Sequence, residues 1–322
     1  MGRTPPANRP GWGDLPQAVT AAVEVRVGAP LASVDYPSGG FTPGLAARAA
    51  FADGSRVFLK GIPTGDGTAG MYRAEAAVGA VLPESVAPAL LWSVKTGGWL
   101  MLSFEDLSGG APDLSPGAAG VGPALDVVGE LERTLTPCPL PDAKPFEELA
   151  RELAGNWTRL QGSGPADAGS DAWATAYARD LVGLDDPAAL VEATAGGTLL
   201  HCDLRADNML LNADGRVKAI DWAWTARGAA WVDAAFFLPQ LVLAGHTAAV
   251  AERLLAERVP AWRAAPEAGV LGFAVALTGY WSWHARTGPG GALGAYRGRA
   301  AEAGREWIAH RAGWKAPIPA SR

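Results

Sequence analysis

The order of strand-type and helix-type segments constrains the fold of this 322-residue chain more than any other feature. Short β-type runs at 46–51 and 56–59 flank Asp53-Gly54, a dipeptide typical of a tight hairpin turn. An apolar run at 99–104 predicts a buried strand, and a helix is predicted at 71–81. The first hundred residues therefore predict a β-rich unit with one helix.

The rest of the chain is predicted to be mostly helical. Apolar residues recur with helical periodicity at 145–160 and 171–184, and helices are predicted from about residue 233 to 307. A β island interrupts this region, with short apolar runs at 199–201, 209–211 and 217–220. The sequence thus predicts an α+β fold, with a β-rich segment at 1–104 followed by a mainly helical segment at 105–322.

Composition excludes several classes of protein. With 49% hydrophobic residues, the chain has enough apolar side chains for a large packed core. The longest apolar run, near 268–283, is shorter than the ~20 residues of a membrane-spanning helix, so it predicts a buried core helix and no membrane association. Cys138 and Cys202 are too few for a disulfide framework or a cysteine-based zinc cluster. The N-terminus lacks the apolar core of an export signal, so a cytoplasmic location is expected.

The charge is unevenly distributed along the chain. The formal net charge is −6, which argues against nucleic-acid binding through a basic surface. Residues 1–104 carry 8 basic and 7 acidic side chains, whereas residues 105–322 carry 19 basic and 26 acidic ones. The net charge of −7 on the second segment favours a cationic small-molecule ligand. No feature of the sequence indicates an oligomeric state.

The densest cluster of polar residues runs from His201 to Asn208. A turn at 212–215 predicts a hairpin whose ends bring Asn208 and Asp221 together, and their amide and carboxylate oxygens suit Mg²⁺. The carboxylate of Asp203 can accept a proton from an incoming hydroxyl group. Each of these residues, taken singly, is also typical of turns and caps.

The spacing of His201, Asp203, Asn208 and Asp221 resembles that of the aminoglycoside phosphotransferase family, within the wider protein-kinase-like group. The resemblance extends over roughly residues 35–240 and implies a two-lobed, protein-kinase-like fold. In such a fold, residues 1–104 form the nucleotide-binding lobe, and residues 105–322 carry the catalytic loop and the acceptor site. The family commonly has glycine after the histidine, where this chain has Cys202.

The resemblance implies a role for each residue of the cluster. Asp203 is the catalytic residue, which orients the acceptor hydroxyl and takes its proton. Asn208 and Asp221 hold Mg²⁺, and His201 and Asp233 support the catalytic loop without reacting.

The resemblance also assigns nucleotide-binding residues in the first segment. Lys60, at the end of an apolar strand, holds the α- and β-phosphates, and Glu75 is its ion-pair partner. Two further groups bind the nucleotide: a glycine-rich loop over the phosphates, with Ser38, Gly39 and Gly40, and a hinge that reads the base, with Phe104, Glu105 and Asp106. The loop has no G-x-G-x-x-G pattern, so on its own it is a weak signal.

The implied function is Mg²⁺-dependent transfer of a phosphoryl group from ATP or GTP to a hydroxyl group of a small molecule. The family favours an aminoglycoside-like antibiotic as the acceptor, and hence a role in antibiotic resistance. A kinase for a metabolite such as a sugar or an amino alcohol is the alternative, and a non-catalytic nucleotide- or ligand-binding protein is the second alternative. The short interval between Asp221 and Asp233 leaves no room for a long activation segment, which favours an enzyme that is not switched by phosphorylation.

Overall fold

The computed structural model describes residues 9–37, 43–162 and 172–316. The chain divides into two compact units: the first comprises Met1–Pro112 and Asp207–Thr225, and the second comprises Asp113–Ala206 and Ala226–Arg322. The sequence predicts a single boundary after residue 104, whereas this division groups Asp207–Thr225 with the first unit. The functional roles of the two segments stay predictions.

The described elements confirm the α+β class. In chain order, the strands are β1 (Leu31–Asp35), β2 (Leu45–Phe51), β3 (Arg56–Pro63), β4 (Leu90–Thr96), β5 (Trp99–Glu105), β6 (Thr198–Leu200), β7 (Met209–Leu211), β8 (Val217–Ala219) and β9 (Ala226–Gly228). The helices are α1 (Gln17–Val27), α2 (Ala69–Gly79), α3 (Val121–Thr134), α4 (Glu147–Leu153), α5 (Asn156–Gly162), α6 (Ala172–Ala176), α7 (Ala178–Leu184), α8 (Pro187–Thr194), α9 (Val232–Leu243), α10 (Ala248–Arg258), α11 (Pro260–Arg263), α12 (Glu267–Thr287) and α13 (Gly291–Ala312).

A five-stranded antiparallel sheet forms the centre of the first unit, with the strand order β1-β2-β3-β5-β4. The predicted hairpin between β2 and β3 is confirmed, and Gly54 in its turn has φ +86°, a value that glycine adopts without strain. Side chains of β2 alternate between buried and half-buried positions, so one face of this strand packs into the core. Helix α2 begins two residues before the predicted start.

A second hairpin in the first unit carries two of the predicted site residues at its ends. Strands β7 and β8 pair antiparallel, and the N–H of Ile220 donates to the carbonyl of Asn208 at 2.9 Å. The predicted juxtaposition of the two ends is therefore confirmed. The N–H of Ala219 donates to the carbonyl of Val86 at 2.7 Å, which fixes the hairpin to the rest of the first unit.

The second unit is mainly helical, but the helix predicted at 145–160 is wrong as a single element. The structure has α4 and α5 in its place, because Gly155 adopts φ +79° and ends the run of helical backbone. The carboxylate of Asp185 accepts a hydrogen bond from the N–H of Trp157 at 2.9 Å, within the first turn of α5. The helix predicted at 171–184 is likewise divided into α6 and α7.

Helix α12 forms the core of the second unit, as its apolar sequence predicts. Phe273 lies within aromatic contact distance of Phe146, Trp231 and Phe236. The indole N–H of Trp157 donates to the carbonyl of Val275 at 2.8 Å. No helix in the described part of the chain has both the length and the apolarity of a membrane span.

Close packing of α12 against α13 leads to a stability prediction. A Cβ atom added at Gly304 would overlap the hydroxyl of Thr278 on α12, whereas one added at Gly298 on the same helix has no neighbour within 4 Å. We expect Gly304→Ala to lower the free energy of unfolding by about 1–3 kcal/mol because the helices must separate. Gly298→Ala should raise the free energy of unfolding by about 0.5–1 kcal/mol, because alanine favours the helix more than glycine does. Chemical denaturation of both variants measures the contrast, and equal effects would contradict it.

Candidate functional site

A buried lysine within β3, the central strand of the sheet, links two carboxylates of the first unit. The strand continues to Pro63, so the expectation that it ends at Lys60 is wrong. The Lys60 Nζ atom lies 2.6 Å from Glu75 Oε2 and 2.9 Å from Asp221 Oδ1. The side chain of Lys60 is only 10% exposed, and that of Glu75 only 5%. Burial alone would lower the pKa of Lys60, but the charges of the two carboxylates outweigh it and raise the pKa above its ordinary value. Lys60 is therefore a fixed positive charge at neutral pH.

These residues line a cavity of about 560 Å³ within the first unit. Its volume is in the range of pockets that hold small molecules and cofactors. Seven residues singled out in the sequence line it: Lys60, Glu75, Phe104, Glu105, Asp106, Asn208 and Asp221. The structure thus brings the predicted phosphate, hinge and metal residues of the first unit to one cavity.

The oxygen atoms available to a metal ion come from the ends of the β7–β8 hairpin. Asn208 is buried and Asp221 is 32% exposed in its side chain, and both line the cavity. Among the described residues, no three or more His, Cys, Asp or Glu side chains are grouped so as to hold a metal ion. Mg²⁺ in kinase sites is commonly bound by one or two protein side chains together with substrate phosphates, so this donor set fits it.

The hinge residues have charged partners in the first unit. Glu105 pairs with Lys218 on β8, with Nζ and Oε2 2.8 Å apart. Asp106 accepts a hydrogen bond from Arg56 Nε at 3.0 Å. The N–H of Glu105 donates to the carbonyl of Ala89 at 2.9 Å, so this N–H is not available to a nucleobase.

The loop at 201–203 is fixed by a buried carboxylate of the second unit. Asp233 Oδ2 accepts the N–H of His201 at 2.8 Å, and Oδ1 accepts the N–H of Cys202 at 2.9 Å. The ring of His201 is fully buried, and its Nδ1 accepts the N–H of Asp203 at 3.2 Å. These hydrogen bonds fix the backbone conformation of the loop that contains Asp203.

Asp203 itself is partly exposed in the second unit. Its side chain is 30% exposed, and its Oδ2 atom lies 3.5 Å from Arg205 Nη1. The guanidinium of Arg205 lies over the ring of Tyr296, 5.1 Å from the ring centre. The predicted loop residues Ser38, Gly39 and Gly40 lie outside the described residues.

Comparison with a family model identifies the class of this chain. The model of the phosphotransferase enzyme family matches residues 44–268, more than half of the chain. The chain belongs to this family. The match confirms the resemblance to the aminoglycoside phosphotransferase family, which was inferred from the spacing of the polar residues between His201 and Asp221.

Solved structures share the fold of this phosphotransferase at low sequence identity. An aminoglycoside phosphotransferase from Alicyclobacillus acidocaldarius is 14% identical over 88% of this chain and 92% of its own, with a TM-score of 0.59. The choline kinase LicA from Streptococcus pneumoniae is 15% identical over 89% and 97%, with a TM-score of 0.57. A macrolide 2′-phosphotransferase of type I is 17% identical over 97% and 99%, with a TM-score of 0.52. These similarities confirm the kinase-like fold.

A second structure of the choline kinase contains AMP and is 14% identical over 90% of this chain and 99% of its own, with a TM-score of 0.52. The search of curated proteins gave no significant match.

The residue after the histidine has a backbone conformation that favours glycine, although this phosphotransferase has a cysteine there. Cys202 has φ +63°, in the left-handed region that favours glycine. The family's usual glycine satisfies this requirement without strain, whereas the cysteine must be held by its two neighbours and by Asp233. Burial raises the pKa of the Cys202 thiol well above its ordinary value, so the thiol is protonated at neutral pH.

The buried carboxylate of Asp233 makes stability depend on pH. Burial raises its pKa from 3.8 to about 6, although the hydrogen bonds from the two N–H donors act in the opposite direction and lower it. The folded protein therefore binds this proton more tightly than the unfolded chain. Its contribution to stability is complete below about pH 4 and is lost as the pH rises through about 6. We expect the free energy of unfolding of the wild type, relative to Asp233→Asn, to fall by about 2 kcal/mol between pH 4 and 7. Denaturant titrations across this range test it, and parallel pH profiles would contradict it.

Sequence reasoning missed charged residues that the structure places at the cavity. Arg48 on β2 and Asp35 on β1 line it, and these two residues are paired across the strands. Lys218 pairs with Glu105. Nothing in the sequence distinguishes this lysine from any other lysine in a strand. The alternation of β2 predicts which face Arg48 occupies, but nothing in the sequence indicates that this face borders a cavity.

Proposed function

We propose that this phosphotransferase transfers the γ-phosphoryl group of ATP or GTP to a hydroxyl group of a small molecule. The observation that carries the proposal is the position of Lys60 between Glu75 and Asp221 in the cavity of the first unit. A lysine held by two carboxylates presents a fixed positive charge to phosphate oxygens. The AMP-containing choline kinase, which has the same fold, supports an adenine nucleotide as the ligand.

Asn208 and Asp221 are the residues that would hold Mg²⁺ in this proposal. When bound, the ion neutralises negative charge on the phosphates. Glu75 keeps Lys60 in place through a buried ion pair, because a flexible lysine alone would not hold the phosphates in one position. The hinge residues, including Phe104 and Glu105, border the same cavity and contribute to the binding of the base and sugar.

Asp203 is the residue proposed to take the proton of the acceptor hydroxyl. As the hydroxyl oxygen forms its bond to the γ-phosphorus, the bond from that phosphorus to the β–γ bridging oxygen breaks, and the nucleoside diphosphate leaves. The proton moves to the Asp203 carboxylate. Asp233 and His201 support this step by fixing the backbone of the loop.

The acceptor class is open among antibiotics and metabolites. The structures with the same fold include enzymes named for aminoglycosides, choline and macrolides, and such a range of acceptors on one fold does not select one of them. An aminoglycoside-like antibiotic and a role in resistance are the expectation from the family. A metabolite kinase for a sugar or an amino alcohol is the alternative.

Nucleotide consumption with a panel of acceptors tests the proposal. The purified protein is incubated with Mg²⁺ and ATP or GTP, together with aminoglycosides, other antibiotics, sugars, amino alcohols and hydroxy acids. We expect one class of acceptor to gain the mass of a phosphoryl group as nucleotide is consumed, and the Lys60→Met variant to lose this activity. Nucleotide binding without transfer to any acceptor would favour the non-catalytic alternative.

A further inference from the structure

A buried tyrosine of α2 lies beside Lys60 in the first unit. Tyr72 is almost fully buried, and the Nζ atom of Lys60 lies over its ring, 5.7 Å from the ring centre. An ammonium group within ~6 Å of a ring centre is attracted to the negative face of the ring. Lys60 therefore contacts an aromatic ring as well as the carboxylates of Glu75 and Asp221.

Tyr72 and Glu75 reach Lys60 from the same helix. They are three residues apart on α2, and this spacing places two side chains on the same face of a helix. Glu75 forms the buried ion pair with Lys60, and Tyr72 presents its ring to the same ammonium group. One helix thus determines where two of the groups in contact with Lys60 lie.

Close packing fixes the position of the Tyr72 ring. A Cβ atom added at Gly44, the residue directly before β2, would overlap the Tyr72 hydroxyl and the carbonyl oxygen of Gly61. The ring also belongs to a core cluster of the first unit, with Ile62, Ala69, Leu100, Leu102 and Phe104. Side chains packed in this way have little room to move, so the ring cannot readily turn away from Lys60.

The two carboxylates beside Lys60 have different duties in the proposed function. Asp221 is partly exposed and is also the proposed ligand of Mg²⁺, so its charge is divided between the ion and Lys60. Glu75 and Tyr72 are buried, and neither is a proposed metal ligand. The contacts that α2 makes with Lys60 therefore do not depend on the ion.

We propose that Tyr72 is a positioning residue, which holds the ammonium group of Lys60 where it binds the nucleotide phosphates. The proposal rests on the proposed function, since it takes Lys60 as the phosphate-binding residue. Lysine carries its charge on a flexible four-carbon chain, so an ion pair alone leaves the ammonium group some freedom. The attraction between this charge and the ring is strengthened by burial, because little water competes for the ammonium group.

A double-mutant cycle tests whether Tyr72 acts through Lys60. The affinity for ATP with Mg²⁺ is measured by calorimetry for the wild type, Tyr72→Leu, Lys60→Met and the double variant. We expect Tyr72→Leu to weaken ATP binding by about tenfold in the wild type, the effect of losing a buried cation–π contact. It should have no further effect when residue 60 is already methionine. A tyrosine that only filled the core would lower the affinity equally in both backgrounds.

Two single variants separate the ring from core packing. Tyr72→Phe keeps the aromatic ring and should restore most of the affinity that Tyr72→Leu loses. Leu100→Ala is the matched control, because Leu100 belongs to the same core cluster and lies opposite Ile62 in the sheet. It should lower the free energy of unfolding through the cavity that it leaves, without changing the affinity for ATP.

Chemical labelling of Lys60 tests the proposal without a nucleotide. The folded protein is treated with a limiting amount of acetic anhydride, and acetylation of Lys60 is measured by mass spectrometry relative to the exposed Lys144 of the second unit. We expect Tyr72→Leu to increase the relative labelling of Lys60 several-fold, because the ammonium group is held less firmly. Tyr72→Phe and Leu100→Ala should leave the labelling close to that of the wild type.

Several results would overturn the proposal. They are an equal loss of ATP affinity in the two backgrounds, wild-type affinity in Tyr72→Leu, a Tyr72→Phe variant as impaired as Tyr72→Leu, and Lys60 labelling that Tyr72→Leu leaves unchanged. Failure of the proposed function is seen separately, as an absence of nucleotide binding to the wild type. The labelling of Lys60 requires no nucleotide, so it tests the role of Tyr72 in that case as well.

Discussion

Replacement of Asp203 by asparagine is expected to lower turnover by about 100- to 10,000-fold, the usual contribution of a positioned proton acceptor. The amide is nearly the same size and keeps an oxygen atom, so the loop fixed by Asp233 should retain its conformation. Nucleotide affinity should change little, because Lys60, Glu75 and Asp221 form their network within the other unit.

Two measurements on one preparation distinguish these effects. Turnover is measured with the acceptor that the panel identifies, and nucleotide affinity is measured by calorimetry with Mg²⁺. Asp180→Asn is the matched control, because Asp180 is an exposed aspartate of the second unit at the start of α7. Turnover of the Asp203→Asn variant equal to that of the wild type would exclude this residue as the proton acceptor. A parallel loss of nucleotide affinity would indicate a structural role instead.

Asp221→Asn is expected to remove most of the effect of Mg²⁺ on nucleotide binding. Loss of a residue that merely orients a metal ligand costs 10- to 100-fold in affinity, so loss of a direct ligand should cost at least about 100-fold. Asparagine is the appropriate replacement, because Asp221 has φ +65° and asparagine tolerates this left-handed conformation better than alanine. The variant therefore removes the charge with little added backbone strain.

Calorimetric titrations of the nucleotide with Mg²⁺ and with a chelator measure this effect. The wild type should bind far more tightly with Mg²⁺, whereas Asp221→Asn should bind with similar, weak affinity in both conditions. Asp53→Asn is the control in the same unit, because an Asn-Gly pair suits the hairpin turn as well as Asp-Gly does. A wild-type response to Mg²⁺ in Asp221→Asn would show that the metal is held elsewhere.

Local patterns in the sequence predict the parts of the fold that depend on neighbours in the chain. The two hairpins follow from turn residues at Asp53-Gly54 and 212–215 between apolar runs, because a tight turn fixes which residues pair. The juxtaposition of Asn208 and Asp221 follows for the same reason. The site of the first unit was therefore partly predictable, since its metal residues lie at the ends of one hairpin.

Contacts between distant parts of the chain were not predictable. The helix break at Gly155 depends on a left-handed glycine that sequence periodicity does not register, since one glycine inside an apolar pattern is tolerated in many helices. Helix α1 was missed because its apolar residues follow no strong helical period. Strand β4 was also missed, although its side chains alternate between half-buried and exposed positions in the way that is typical of a strand. The ion pair of Glu105 with Lys218 joins residues far apart in sequence, and no local rule indicates such a pair.

The order in which the chain is synthesised gives the discontinuous first unit a consequence for folding. Its sheet is complete once Pro112 has been made, but its second hairpin belongs to Asp207–Thr225 and is translated after more than ninety intervening residues of the other unit. At about 5–20 residues per second, the ribosome needs on the order of ten seconds to produce that stretch. During this interval the nascent sheet lacks the hairpin that lines its cavity, so the emerging chain exposes apolar surface at that position. A truncated product ending near residue 200 would contain Lys60 and Glu75 but could not complete the site.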